Sequence, residues 1–451
     1  MARSIVTAIA QIKSELADIL SPPLIRGVCQ TIGHVWRDRR LDPVTTVHLF
    51  LLQVLHGNTA CAQVPRLGGI PVSGEAYCQA RKRLPVRLLR SLVWLFSRSL
   101  HCEALDDGRW HGHRTFHVDG TGVSMSDTPA LQKAFGQPGT QRPGCGFPVM
   151  RLVALFHAGT GLLLNMVAAP LRSHDLSEVG PLHGELRPGD VLIGDRAFCS
   201  FAHLATLAAR GVFGLFRGHS SQIVDFRPHR PHRGKRSRTK PNPCGLPSSV
   251  WLKRLGRHDQ LVAYVKRERP ARMSRLDYAA LPESLKVREL RFTIRRGGYR
   301  TRTITLVTTL LDPKRYPAAD LATLYRQRWQ VETNLRHLKQ TLKMDVLRCQ
   351  TVDGVRKEVL IYALVYNLVR SVMREAAKRQ GVPLNRISFV DAIRWLAEAI
   401  HHPTELKLRL NSIRPGRWEP RMLKRRKKDF PFMRRPRAEF RQPMTKHKLA
   451  A

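Results

Sequence analysis

Residues Leu324 to Lys343 read LYRQRWQVETNLRHLKQTLK, and the spacing of their polar side chains guides the interpretation of the whole chain. Four polar residues follow one another at steps of three, four and seven: Tyr325, Arg328, Glu332 and Lys339. At about 100° per residue, these steps keep all four within roughly 60° on one side of a helix. Six leucine and valine residues occupy a neighbouring sector about 100° wide, the usual width of a core-facing stripe: Leu321, Leu324, Val331, Leu335, Leu338 and Leu342. The pattern predicts one helix whose polar stripe borders its buried face.

The same stripe also carries a family resemblance. A solvated charged face with incidental ion pairs is the ordinary explanation of a basic helix. Here, however, the order Tyr, two residues, Arg, three residues, Glu, six residues, Lys matches without a gap the signature of bacterial insertion-sequence transposases. The segment resembles the DDE transposases of the insertion-sequence-four family. The resemblance implies two upstream Asp residues at the ends of hydrophobic strands, and a chain built to hold DNA.

The net charge favours a DNA partner. The chain has 77 Lys and Arg against 34 Asp and Glu, a formal net charge of +43 at pH 7. Such an excess repels itself unless it lies beside a polyanion, and nucleic acid is the leading candidate. Counterion release then predicts a log-log salt slope of about −0.9 per neutralised phosphate. An anionic membrane fits less well, because the sequence has no apolar run of about 18 residues.

The cysteines and the N-terminal segment predict the compartment. Eight Cys residues are scattered without a CxxC pair or a zinc-finger spacing of His, which favours reduced thiols. The first residues, MARSIVTAIAQIKSELADIL, form an amphipathic pattern interrupted by polar residues and do not resemble a signal peptide. We therefore expect a cytoplasmic protein with no membrane partner, and the resemblance implies a bacterial protein associated with the nucleoid.

From Thr115 the periodicity changes from helical to strand-like. TFHVDGTGV places Asp119 at the end of a first strand, and VMRLVALFHA and GLLLNMVAA complete a three-strand meander. A helix at 175–186, a strand ending at Asp195, another helix and a fifth strand, GVFGLFRG, follow. Either Asp alone would more often belong to a turn. Together the elements follow the order of the ribonuclease H-like fold, in which the first and fourth strands are neighbours, so we predict an α/β mixed sheet where Asp119 and Asp195 converge.

Composition divides the chain further. We predict a helical N-terminal DNA-binding region at 1–112, the first part of the catalytic domain at 113–218, a β-rich insertion with a basic loop at 219–312, the catalytic domain completed by the signature helix at 313–375, and a helical C-terminal region with a basic tail at 376–451. The insertion resembles the all-β insertion that this branch of transposases places between the second Asp and the Glu.

A short basic helix marks the N-terminal region. SGEAYCQARKRLP predicts a helix that begins at Ser73 and ends in the cluster Arg81, Lys82 and Arg83. Three cations at a helix end usually form a solvated face. The resemblance favours DNA contact instead, because transposases of this branch grip the ends of the element with a helical N-terminal domain.

Three carboxylates suit phosphoryl transfer on DNA. Mg²⁺ prefers hard oxygen ligands and keeps several waters, so a few carboxylates are enough. The resemblance implies two Mg²⁺ ions, replaceable by Mn²⁺, with Asp119 shared by both, Asp195 on one and Glu332 on the other. It also implies that Tyr325, Arg328 and Lys339 hold the DNA end. For Trp329 in the same segment, a place in the core is favoured over a base-stacking platform.

The resemblance implies a transposase that binds the terminal inverted repeats of an insertion sequence, cleaves the DNA ends and transfers the 3′-hydroxyls to target DNA. Its partners would be double-stranded DNA and a second copy of the chain in the synaptic complex. Two alternatives remain open. One is a catalytically inactive DNA-binding descendant, and the other is a nuclease of the same fold that lacks strand transfer.

Overall fold

The computed structural model describes residues 18, 20–219, 222–229, 233–234, 248–266, 268–270, 273–294, 302–399, 405–412, 435–436 and 439. Three predicted features lie wholly or largely outside these residues: the amphipathic N-terminal segment, most of the basic loop at 227–245, and the basic tail from 414.

The described residues before the sheet form five helices, two of which begin at the caps that the sequence predicts. They are α1 (Pro22–Thr31), α2 (Pro43–Leu55), the short α3 (Val64–Leu67), α4 (Gly74–Arg83) and α5 (Val86–Ala104). Asp42 accepts a hydrogen bond from the Thr45 N–H at 2.7 Å, and Ser73 accepts one from the Ala76 N–H at 3.1 Å. These bonds satisfy donors that a first helical turn leaves unpaired. The helices predicted for α2, α4 and α5 are confirmed.

The central sheet has the predicted topology. Its first part consists of β1 (Thr115–Met125), α6 (Pro129–Phe135), β2 (Val149–His157), β3 (Leu163–Pro170), α7 (Asp175–Glu178), β4 (Val191–Gly194), α8 (Phe201–Ala209) and β5 (Phe213–Arg217). The strands are ordered β3-β2-β1-β4-β5, with β1, β4 and β5 parallel and β2 and β3 antiparallel to their neighbours. This order confirms the ribonuclease H-like fold.

One prediction about the first strand is wrong. Asp119 and Gly120 do not end β1, which continues to Met125. The reason is that β2 remains paired with β1 through Ser124, so the Asp-Gly pair lies within a ladder of hydrogen bonds. Asp119 therefore projects from the middle of a central strand, where its backbone is paired with Ala154 of β2.

The helix predicted at 175–186 is also wrong as a single element. The structure has α7 followed by a separate 3₁₀-helix, Gly180–Glu185. Pro181 explains the division, because it has no N–H to donate to a continuous α-helix and its ring restricts the preceding residue.

The insertion extends the central sheet. It contains the short strands β6 (Gln222–Ile223) and β7 (Arg233–Gly234), then β8 (Ser248–Gly256), β9 (Asp259–Val265), α9 (Arg275–Ala279), β10 (Ser284–Ile294) and β11 (Arg302–Thr308). β11 pairs antiparallel with β5, and the order continues β5-β11-β10-β9-β8. The predicted strands of the insertion are confirmed, and the predicted turn at Gly297-Gly298 lies outside the described residues.

The signature segment is not the single helix that its spacing predicts. It consists of α10 (Ala318–Arg326), α11 (Trp329–Arg336) and one turn of π-helix, His337–Thr341, before the short strand β12 (Val346–Leu347). Between α10 and α11, the N–H groups of Gln327 and Arg328 bond to carbonyls three residues earlier, which tightens the turn. In the π turn, the Leu342 N–H bonds to the His337 carbonyl, which widens it. All six residues of the predicted apolar stripe are buried.

Two hydrophobic cores flank the sheet. The long helix α12 (Val352–Arg379) packs against α2, α5 and α13 (Phe389–Ala399), and its core continues to one face of β1 and β2. The helices α7 and α8 cover the opposite face. The N-terminal helices thus share a core with the sheet that carries Asp119. None of the helices within the described residues combines the length and apolar character needed to cross a bilayer.

Candidate active site

Asp119 and Asp195 lie on adjacent parallel strands. The pairing of β1 with β4 sets Thr115 beside Val191 and His117 beside Ile193, and extending this register brings Asp195 next to Asp119. Asp195 directly follows β4, and its carboxylate accepts a hydrogen bond from the Ala197 N–H at 2.8 Å. The first and fourth strands therefore bring the two predicted carboxylates together.

Glu332 joins them through an arginine of the signature segment. The Arg328 guanidinium donates to Glu332 Oε1 at 2.8 Å and contacts Asp119 Oδ2 at 3.5 Å. The Asp119 side chain is 19% exposed, whereas that of Glu332 is 63% exposed. We call these three residues the acidic cluster, within which Asp119 is more buried than Glu332.

The pKa of Asp119 is raised by burial and by neighbouring negative charge. Burial is the largest cause raising the pKa of this carboxyl, to about 6, and the nearby charges of Asp195 and Glu332 add to the increase. The Gly120 N–H and the Arg328 guanidinium oppose it. Ionising the Asp119 carboxyl is therefore less favourable than ionising an exposed one.

The donor set fits divalent magnesium in its chemistry. Carboxylate oxygens are the hard ligands that Mg²⁺ takes, and soft sulfur or imidazole ligands are not needed. In this conformation, no group of three or more His, Cys, Asp or Glu residues within the described part of the chain is arranged to hold a metal ion. The positive charge between Asp119 and Glu332 comes instead from Arg328.

The other members of the signature stripe differ in position. The Tyr325 ring is buried, and its hydroxyl lies near Arg328 and Asp195, while burial raises the pKa of the phenol to about 12. The hydroxyl therefore lies beside the acidic cluster, whereas the ring face is buried. Lys339 is half-buried in the π turn and makes no ion pair within the described residues. Trp329 is 59% exposed, so its favoured place in the core is wrong.

The basic cluster of α4 also separates into two kinds of residue. The Arg81 guanidinium lies 3.9 Å over the Phe50 ring and donates to Gln53 Oε1 at 2.9 Å. Its environment is internal, which makes it a structural cation in this conformation. Lys82 and Arg83 are exposed and remain the members of the cluster that can meet DNA without rearrangement.

A further cation, Arg151, interacts electrostatically with the acidic cluster. The spacing patterns in the sequence do not predict this residue. It lies on β2, it pairs with Asp175 of α7, and the charges of Asp119 and Asp195 help to raise its pKa after that pairing. Its only sequence signal is a single charge inside the apolar strand VMRLVALFH.

A known protein family matches the part of the chain that contains these residues. A family model described as "Transposase DDE domain" matches residues 110–368, which include the three acidic residues and the signature segment. The chain belongs to this family. It is a DDE transposase, and an enzyme of a class that cleaves and transfers DNA.

Individual relatives support the branch as well. The chain is 23% identical over 390 residues to the transposase InsG for insertion sequence element IS4 of Escherichia coli K12, covering 84% of this chain and 81% of that protein. It is 25% identical over 286 residues to the putative transposase InsZ of the same organism, covering 60% of this chain and 87% of that protein. The resemblance to the insertion-sequence-four family is therefore confirmed.

A solved structure of a transposase also aligns with the chain. The cryo-EM structure of the piggyBac transposase synaptic complex with hairpin DNA aligns with a TM-score of 0.47 and 10% identity, covering 86% of this chain and 79% of that chain.

Proposed function

We propose that this transposase binds the terminal inverted repeats of an insertion sequence, cleaves the DNA ends and transfers the 3′-hydroxyls to target DNA. The proposal is supported by the Arg328 contacts with both Asp119 and Glu332, and by the register that brings Asp195 next to Asp119. Acidic residues that lie close together despite mutual repulsion suit a site for cations and phosphate. The domain boundaries given above are part of the same proposal.

Each side chain has a role in the proposed reaction. Asp119, Asp195 and Glu332 would hold two Mg²⁺ ions, or Mn²⁺ in their place. When bound, such ions lower the pKa of the attacking water or hydroxyl and neutralise the leaving oxygen. Arg328 and Lys339 would pair with phosphates near the scissile bond, because guanidinium and ammonium groups form charge-assisted hydrogen bonds to phosphate oxygens.

Further groups would hold and orient the DNA. The Tyr325 hydroxyl would hold the Arg328 guanidinium in place by a hydrogen bond. The exposed Trp329 ring, near Glu332 in the same segment, would offer a surface on which a DNA base can stack. Lys82 and Arg83, with Arg81 packed behind them, would contact the backbone of the terminal repeat. The chain would act on bacterial nucleoid DNA as a homodimer that holds two ends.

A cleavage and joining assay tests the proposal. The substrate is duplex DNA carrying the inverted repeats that flank the reading frame, incubated with the full-length protein and MgCl₂. We expect nicking at the element end that is abolished in Asp119→Ala and in Asp195→Asn, with DNA binding nearly intact in both. Loss of binding in these variants would count against their assignment as reacting-centre ligands.

The same assay separates the alternatives. A wild-type protein that binds the repeats but never nicks them would be a noncatalytic descendant. A protein that nicks the repeats but does not join a precut 3′ end to plasmid DNA would be a nuclease. Joining of the precut end supports the transposase proposal.

A further inference from the structure

Three cysteine thiols surround the Arg81 guanidinium in a cavity between α4 and the start of α12. Arg81 Nη1 donates to Cys61 Sγ at 3.3 Å, and Nη2 donates to Cys349 Sγ at 2.9 Å. Cys78, which precedes Arg81 by three residues in α4, lines the same cavity of about 780 Å³. All three cysteines are half-buried, so a small molecule in the cavity can reach them.

Close packing of two backbone segments brings Cys61 to the face of α4 that carries Cys78. A Cβ atom built on Gly74 would lie 3.0 Å from the Cys61 carbonyl oxygen and 2.5 Å from the Ala62 Cα, so only glycine fits at this crossing. Gly74, Cys78 and Arg81 follow one another at steps of four and three, and such residues share one face of a helix. Cys61 Sγ contacts Arg81 on that face. Cys78 therefore lies between the two points at which α4 touches Cys61.

The titration of the thiols agrees with this placement. Burial raises the pKa of Cys78, and a hydrogen bond with Cys61 raises it further. Burial raises the pKa of Cys349 to about 12, and the charge of Glu358 adds to the increase. Cys349 thus resists ionisation strongly, whereas Cys61 and Cys78 are in direct contact with each other.

We propose that Cys61 and Cys78 form a reversible disulfide when the protein meets hydrogen peroxide, and that Arg81 is the positioning residue for this reaction. The inference does not depend on the proposed transposition reaction. The Cys61 thiolate attacks one peroxide oxygen, the O–O bond breaks, and the leaving hydroxide takes up the thiol proton as water. Cys78 then attacks the sulfur of the resulting sulfenic acid, the S–O bond breaks, and a second water leaves. Two thiols are oxidised, and one peroxide is reduced to two waters.

Arg81 promotes the first step through its charge and its fixed position. The thiolate is the nucleophilic form of a cysteine, and a cation beside the sulfur stabilises it. Within the described residues, Arg81 forms no ion pair with a carboxylate, and its donors face the sulfurs of Cys61 and Cys349 and the amide oxygen of Gln53. Negative charge on Cys61 therefore meets a cation that no bonded carboxylate has neutralised.

The test maps disulfides in the full-length protein before and after exposure to hydrogen peroxide. Remaining thiols are alkylated, the protein is digested, and linked peptides are identified by mass spectrometry. We expect a Cys61–Cys78 peptide that forms with peroxide and disappears with dithiothreitol. Cys29 is the internal control, because it is buried, burial raises the pKa of its thiol to about 11, and it should stay reduced.

Variants separate the two steps. Cys78→Ser should stop at the sulfenic acid of Cys61, which dimedone traps, whereas Cys61→Ser should give neither the disulfide nor a dimedone adduct at Cys78. Arg81→Gln should slow disulfide formation by roughly tenfold, and Arg81→Lys, which keeps the charge but not the planar fork, should slow it less. Oxidation should raise the melting temperature of wild type but not of Cys78→Ser, because a crosslink restricts the unfolded chain.

Two results would overturn the pairing. One is a wild-type protein in which peroxide links Cys61 to Cys349 or leaves Cys61 and Cys78 reduced. The other is a lower melting temperature after the Cys61–Cys78 bond forms, since the thiols would then not be set in a bonding geometry. Equal rates in wild type and a folded Arg81→Gln would reject the role of Arg81. If Arg81→Gln does not fold, Arg81→Lys decides that role, and an unchanged rate rejects it.

Discussion

At the scale of single residues, Arg328 resolves a conflict that the three carboxylates create. Asp119 is mostly buried, and each neighbouring negative charge makes its ionised form less favourable. The Arg328 guanidinium contacts both Asp119 and Glu332, and this contact reduces the repulsion without any added ion. The same guanidinium is the group proposed to bind phosphate, so arrival of cations and DNA would redistribute its contacts.

A second residue-scale feature is a buried pair of histidines that predicts acid sensitivity. His203 Nδ1 lies 2.7 Å from the Phe198 carbonyl and must donate to it, so its Nε2 accepts from His183 Nε2–H at 3.0 Å. Burial lowers the pKa of both rings, and Arg210 contributes to the decrease for His183. Protonating either ring would place two N–H donors against each other or a charge in the core.

We therefore expect stability to fall in acid. The folded-state pKa values lie below 6.5, so the unfolded chain binds protons more readily and stability is lost as the pH falls through 6.5 and below. His183→Gln can still donate to His203 but does not titrate. Thermal melts from pH 7.5 to 4.5 should show a smaller acid-induced decrease for this variant than for wild type. The exposed His258→Gln is the control, and equal decreases in all three proteins would refute the assignment.

At the scale of elements, the sequence predicts what alternation and capping determine. The order of the strands, the position of Asp195 after β4, and the helices capped by Asp42 and Ser73 all follow from local patterns. The extent of β1 beyond Asp119 does not, because pairing with β2 overrides the turn preference of Asp-Gly. Nor do the breaks in the signature segment, which contains neither Gly nor Pro and changes pitch through tertiary packing.

Local sequence patterns also predict only part of the candidate active site. The spacing of Arg328 and Glu332 predicts that they share one side of a helix, and Arg328 contacts both Glu332 and Asp119 in the structure. The ion pair of Arg151 could not be predicted in this way, because its partner Asp175 follows it by 24 residues and occupies the space left by Gly120.

The signature segment ends at a residue, Lys343, with an unfavourable backbone conformation. Lys343 has φ of 65°, a left-handed conformation that costs a residue with a side chain about 1 kcal/mol or more. Lys343→Gly should therefore raise the free energy of unfolding by up to about 1 kcal/mol, after the extra freedom of the unfolded chain is counted. Lys339→Gly, without a positive φ, should lower it by about as much. Chemical denaturation of the two variants checks both signs, and a less stable Lys343→Gly protein would contradict the argument.

At the scale of the whole molecule, the N-terminal helices and the catalytic sheet are one packed unit. The buried Glu358 of α12 accepts a hydrogen bond from Asn58 Nδ2 at 2.7 Å, and the Lys357 ammonium donates to the Lys82 carbonyl at 2.9 Å. Apolar side chains of α2 and α5 belong to the same core as α12. A region proposed to contact DNA is thereby packed against the helix that follows the signature segment.

This shared core predicts that the sequence-based catalytic region will not fold alone. A chain beginning at residue 113 would expose the apolar face of α12 that α2 and α5 cover, and it would leave Glu358 without Asn58. Exposed core surface of this extent favours aggregation or a molten state over a cooperative fold. Near-ultraviolet circular dichroism and thermal melting should show no sharp transition for this fragment, whereas a chain beginning at residue 18 keeps every contact named above. A cooperative melt of the shorter fragment would contradict this prediction and would mean that the catalytic region folds without the N-terminal helices.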